Sequence, residues 1–84
     1  MKRIINGVVY DTSISKRIGG YHYGIGEYET WEDLYLSPDG HYFLHCRGGT
    51  MTPYNMCRNG QLYPGEVILA LGKAKGREWE AHLN

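Results

Sequence analysis

Residues 31–47, WEDLYLSPDGHYFLHCR, read as two strands joined by a tight turn. Pro38-Asp39-Gly40 suits a type I turn with glycine in the left-handed position, giving a three-residue loop. With Ser37 facing His41, strict alternation pairs Leu36 with Tyr42, Leu34 with Leu44 and Glu32 with Cys46 on one side. The opposite side carries Tyr35–Phe43, Asp33–His45 and Trp31–Arg47: an aromatic pair, a carboxylate–imidazole pair and a cation–π pair. The aliphatic side is the expected core face near the turn. The other side is either a second packed layer or a recognition face.

Upstream, Asn6-Gly7 lies between the β-branched runs Ile4-Ile5 and Val8-Val9. Both central residues of a type I′ turn need positive φ, so this predicts a hairpin with Ile5 opposite Val8 and Ile4 opposite Val9. Asp11 and Thr12 offer N-cap oxygens, Ile14 and Ile18 lie four apart, and Gly19-Gly20 can stop a helix, which predicts one of one to two turns. Residues 21–26 read as loop or irregular strand. Downstream, Gly48-Gly49 breaks the strand, Thr52 and Pro53 can start a second short helix, and Asn59-Gly60 can end it. Pro64-Gly65 marks a turn and Glu66 to Leu71 a further strand, buried on both sides if its apolar run is taken literally. Lys73 to Leu83 is the last helix, where Gly76 costs roughly 1 kcal/mol relative to Ala unless close packing needs the missing side chain. The expected fold is a single α+β domain, residues 1–84. It has a small antiparallel sheet from two β-hairpins plus one further strand, two short helices and a C-terminal helix.

A chain of 84 residues has room for one modest core, and eight Tyr and two Trp give that core a polar-tipped boundary. Formal net charge is zero, which speaks against binding nucleic acid through excess phosphate neutralisation. The charge is segregated, however. Residues 1–17 carry +3, residues 18–46 carry −5 with no Lys or Arg, and the remainder carries +2. A two-signed surface of this kind can steer a charged partner. No secretory leader and no membrane-length apolar run is recognisable, so Cys46 and Cys57 are expected as free thiols in a bacterial cytoplasm.

Four constellations carry possible chemistry. His41, His45, Cys46 and Cys57 are metal-ligand types, but His41 and His45 on one strand sit about 13 Å apart at roughly 3.3 Å per residue. His45 and Cys46 point to opposite faces, so a core thiol with surface histidines is the better reading, and no metal or cofactor is expected. An Asp33–His45 pair would orient an imidazole as a base, yet Cys46 faces away from it, and ordinary cross-strand pairing explains the residues without catalysis. Gly48-Gly49-Thr50-Met51-Thr52-Pro53 could present amides to an anion at a helix start, but it lacks the lysine and spacing of a P-loop. Gly24-Ile25-Gly26 does not match a dinucleotide fingerprint. The fourth is Glu27-Tyr28-Glu29-Thr30-Trp31-Glu32-Asp33. Its four carboxylates interleaved with two large aromatics suit a basic protein surface, against the plainer reading of a charged strand edge that prevents aggregation.

The string Lys2-Arg3-Ile4-Ile5-Asn6-Gly7 with Tyr10-Asp11-Thr12 resembles the opening of a group of short proteins from bacterial phages and mobile elements. The likeness continues through Leu34-Tyr35, Gly40-His41-Tyr42-Phe43-Leu44-His45, Gly48-Gly49, Met51 and Tyr54. It ends with Glu66-Val67-Ile68-Leu69-Ala70-Leu71 and Arg77-Glu78-Trp79. These are turn and core residues, so the resemblance implies a shared fold more than a shared activity. It also implies an accessory role of the anti-CRISPR inhibitor type.

The resulting expectation is a non-enzymatic protein that occludes a basic, nucleic-acid-binding surface of a host defence complex such as a CRISPR effector. The residues expected to bind are Glu27, Tyr28, Glu29, Trp31, Glu32, Asp33, Tyr35 and His45. The alternatives are a nucleic-acid accessory module using Lys2, Arg3, Lys16, Arg17 and the C-terminal basic residues, and a small cysteine/histidine enzyme.

Overall fold

The computed structural model describes residues 1–83; Asn84, counted in the expected domain, lies outside the described residues. The first hairpin joins β1 (Lys2–Ile5) to β2 (Val8–Asp11) in the expected register, Ile5 opposite Val8 and Ile4 opposite Val9. Asn6 at φ 49° and Gly7 at φ 79° supply the two positive dihedrals of its turn.

The main sheet has four antiparallel strands in the order β3 (Lys16–Tyr23), β4 (Thr30–Leu36), β5 (Tyr42–Gly48) and β8 (Gly65–Ala70). Strands β4 and β5 form the Pro-Asp-Gly hairpin with all six expected cross-strand pairs in place. The Ser37 amide bonds the His41 carbonyl at 2.9 Å, and Gly40 adopts φ 84°. Strand β8 pairs β5 as an edge strand. It is not buried on both sides: Ile68 is fully buried while Leu69 is 39% exposed. Helix α1 (Lys73–Leu83) closes the chain.

The two short helices of the sequence reading are absent. Residues expected to stop the first helix lie inside β3, which pairs with β4 through Gly19 and Gly20. The second is replaced by a third hairpin, β6 (Met56–Arg58) and β7 (Gln61–Tyr63). Asn59 at φ 52° and Gly60 at φ 75° make the same turn as Asn6-Gly7. The only other helical turn among the described residues is a 3-10 turn at Gly26–Tyr28.

Both faces of the main sheet are covered near its centre. On one face the first hairpin lays Ile5, Val8 and Tyr10 over Phe43, Ile68 and Tyr35. On the other, Trp79 and Leu83 of α1 join Tyr54, Val67 and Leu71 over Leu34, Leu44 and Cys46. Leu34, Phe43 and Ile68 are fully buried, and each stabilises the fold by about 1.5–3 kcal/mol relative to exposure. Gly76 is where α1 meets the sheet: a Cβ there would run into the Tyr42 ring, so the missing side chain is needed for contact. The Tyr42 hydroxyl then reaches Glu80 at 3.0 Å.

Candidate functional site

The face under the first hairpin is only partly covered. Tyr35 and Phe43 stack at 5.3 Å beneath Tyr10, so this pair is core, and Tyr35 does not belong to an open recognition surface. Toward the other end of β4 and β5 the same face is open to solvent. There the register aligns His22, Trp31, Arg47 and Glu66 in one row across β3, β4, β5 and β8.

Trp31 is the centre of that row. The His22 ring stacks on it at 4.6 Å and 11° from the strand on one side. The Arg47 guanidinium sits 4.8 Å from its centroid, coming from the strand on the other side. Cross-strand neighbours reach each other in this way because directly opposed Cβ atoms lie only about 5 Å apart. His22 Nε2 is in turn 2.9 Å from Glu29 Oε2, which fixes the stack from a fourth side chain. Among the described residues Arg47 has no carboxylate partner, so its donors remain available.

Trp31, Arg47, Glu29 and Glu66 line an open concavity of about 780 Å³. Met1, Met56 and Pro64 supply apolar wall, and the backbones of Gly26, Gly48, Gly49 and Gly65 its remaining surface. No side chain fits at three of these positions: at Gly48 it would run into Thr52, and at the other two into backbone. A Cβ on Gly49 would strike the Glu27 carbonyl, and one on Gly65 the Tyr54 carbonyl.

The expected Asp33–His45 pair is opposed in register but not bonded. Asp33 Oδ1 accepts from Arg17 Nε at 3.0 Å and Nη2 at 2.7 Å. It reaches Arg17 across Gly20, where a side chain would block the path. His45 Nε2 instead lies 2.8 Å from Glu66 Oε2. Cys46 lies on the opposite face of the sheet, out of reach of this imidazole.

Glu32 leaves the segment altogether. It points to the helix face, where it accepts from the Tyr54 hydroxyl and, at 2.9 Å, from the Tyr23 hydroxyl. The seven-residue acidic run therefore splits three ways. Glu27 and Tyr28 are exposed on the 3-10 turn, Glu29, Trp31 and Asp33 lie on the open face, and Glu32 fastens the opposite one. Tyr54 carries the 49–54 turn onto the sheet, and burial followed by the Glu32 carboxylate pushes its hydroxyl far above the usual tyrosine range. Cys46 lies in the same patch, where burial raises its thiol to about 11; Cys57 is exposed on β6.

The glycine pair at 48–49 presents no anion cradle. Gly49 N donates to the Glu29 carbonyl at 3.0 Å and Met51 N to the Glu27 carbonyl at 2.9 Å, and no helix follows. Among the described residues, no three His, Cys, Asp or Glu side chains gather as a metal site. Several basic residues of the nucleic-acid alternative are engaged internally: Arg3 with the Ile68 carbonyl, Arg17 with Asp33 and Lys75 near Glu78.

The sequence reading put Trp31 and Glu29 in the binding set and paired Trp31 with Arg47, but it left Arg47, His22, Glu66 and Met56 out of that set. His22 was hidden because 21–26 read as loop or irregular strand, with no register to place it. The alternation of Tyr21, His22 and Tyr23 beside two glycines was the one available hint of a strand. No family profile, curated protein or solved structure matches the chain.

Proposed function

We propose that this chain is a non-enzymatic binding protein whose recognition surface is the Trp31 row and the concavity beside it. The single observation that supports this most is the fixed Trp31 ring, stacked between His22 and Arg47 at the wall of an open concavity. An ordered aromatic with charged and backbone groups around it has the anatomy of a protein-binding hot spot. Its ordering cost is already met in the free protein.

The partner class follows the sequence reading. Glu29 and Glu66 give the rim two carboxylates, and the adjoining turn carries exposed Glu27 and Tyr28, the latter 60% exposed. A basic protein surface is the complementary partner, and a nucleic-acid-binding host complex carries such surfaces. In the anti-CRISPR-like form of the proposal, docking covers that surface and blocks nucleic acid from it, in the bacterial cytoplasm. The phage and mobile-element origin rests on the sequence resemblance alone. Tyr35 and Glu32 drop out of the binding set, because one is packed under the first hairpin and the other faces the helix.

The test compares wild type, Trp31→Ala and Lys73→Ala as baits in a bacterial host lysate, with each variant's circular dichroism checked first. A specific protein should be held by wild type and Lys73→Ala and lost by Trp31→Ala. Competition with nucleic acid for the captured protein then tests occlusion. A host protein retained equally by all three baits would refute the assignment.

A further inference from the structure

The two edges of the main sheet are treated differently. Beside β8 runs the first hairpin, and Arg3 Nη1 donates to the outward Ile68 carbonyl at 2.7 Å. Along β3, among the described residues, no hydrogen bond from another element reaches the outward amides and carbonyls. A register shift between Arg17 and Gly19 distorts the first half of this edge. The second half, residues 20–23, is regular, aromatic and free of Asp, Glu, Lys and Arg.

That half is also tied down by side-chain contacts. Tyr21 packs on Trp79 at 5.7 Å, His22 on Trp31, and the Tyr23 hydroxyl is fixed to Glu32. Natural sheets blunt an open edge with charges, prolines or a covering element, and an unblunted stretch is a template for another strand.

We propose that the β3 edge is the contact between two copies of this chain. They pair antiparallel through residues 20–22 about a twofold axis normal to the sheet at Tyr21, with Gly20 of each copy opposite His22 of the other, joining two four-stranded sheets into one. Charge selects a second copy over a foreign strand. The basic start of β3, Lys16 and Arg17, continues past Tyr23 of the other copy toward the connection carrying Glu27 and Glu29. The twofold makes this match twice. Lys16 and Glu27 are both exposed and have no salt-bridge partner among the described residues, so each is free for the contact.

Sedimentation equilibrium of the purified chain, from ~1 to ~500 µM, covers the range in which such an association registers. The expected result is a monomer–dimer equilibrium rising from the chain's 9.6 kDa to twice that mass and weakening in high salt. Lys16→Glu and Glu27→Lys should each weaken it by about 10-fold, and the double reversal should restore it. A monomer at every concentration overturns the proposal. So does a dimer that neither single reversal weakens, or that the double reversal fails to restore.

Discussion

Two cysteines of one chain differ sharply in chemistry because of where the backbone puts them. Cys46 is fully buried under Tyr54, with its thiol raised to about 11 by burial first. The thiolate is the reactive species, so at pH 8 an aromatic disulfide reagent should label Cys57 within seconds to minutes. Cys46 should react at least ~100-fold more slowly, and only as the protein opens. Equal labelling of both would show that the 49–54 turn does not cover the sheet. Gly76 gives a second residue-level prediction. Alanine would gain about 1 kcal/mol of helix propensity, but its Cβ would overlap the Tyr42 ring. Overpacking of this kind costs about 1–3 kcal/mol, so Gly76→Ala should lower the urea midpoint rather than raise it.

At the level of elements, Tyr54 and Glu32 form the clasp that holds the 49–54 turn. Its pH dependence has a definite sign. A tyrosine whose folded value is raised above 10.0 favours the fold while protonated. That stability is complete below pH 10 and is lost as the pH rises above it. Tyr23, raised by burial and then by Glu32, and Tyr42, raised by its bond to Glu80, add in the same direction. Unfolding free energy should therefore fall above pH 10, and Tyr54→Phe should make that fall shallower while costing about 1–3 kcal/mol at neutral pH. The third hairpin behaves differently. All six residues of β6 and β7 are exposed, and an unpacked two-stranded hairpin is marginal in water. Its amides should exchange at least ~100-fold faster than those of β4 and β5.

These elements also mark where the sequence was legible. The Asn6-Gly7 and Pro-Asp-Gly hairpins, the last strand and the last helix are written in local turn chemistry and periodicity. Strand β3 is not. The Asp11 and Thr12 cap oxygens and the Ile14–Ile18 spacing read locally as a short helix that Gly19-Gly20 would end, and only pairing with β4 makes it a strand. Asn59-Gly60 carried the same signal as Asn6-Gly7. After Thr52-Pro53 it reads equally as a helix end, because Met56-Cys57-Arg58 lacks the β-branched residues that frame the first turn. The alternation of β4 and β5 placed Trp31 beside Arg47. His22 and Glu66 completed the row only through strands whose registers depend on non-local pairing.

For the molecule as a whole, one sheet does three jobs on separate surfaces. Its helix face holds the core under Trp79 and Leu83, its hairpin face holds a second core under Tyr10, and the uncovered end of that second face presents Trp31. No helix is long and apolar enough to cross a membrane among the described residues. The proposed binding therefore rests on one aromatic whose removal leaves both cores untouched. The direct measurement is a titration of the captured host protein with wild type and with Trp31→Ala, by calorimetry, in variants of matched circular dichroism. The predicted result is a loss of at least ~30-fold in affinity, the ~2 kcal/mol of a hot-spot residue. An affinity within about twofold of wild type, in a folded variant, would contradict it.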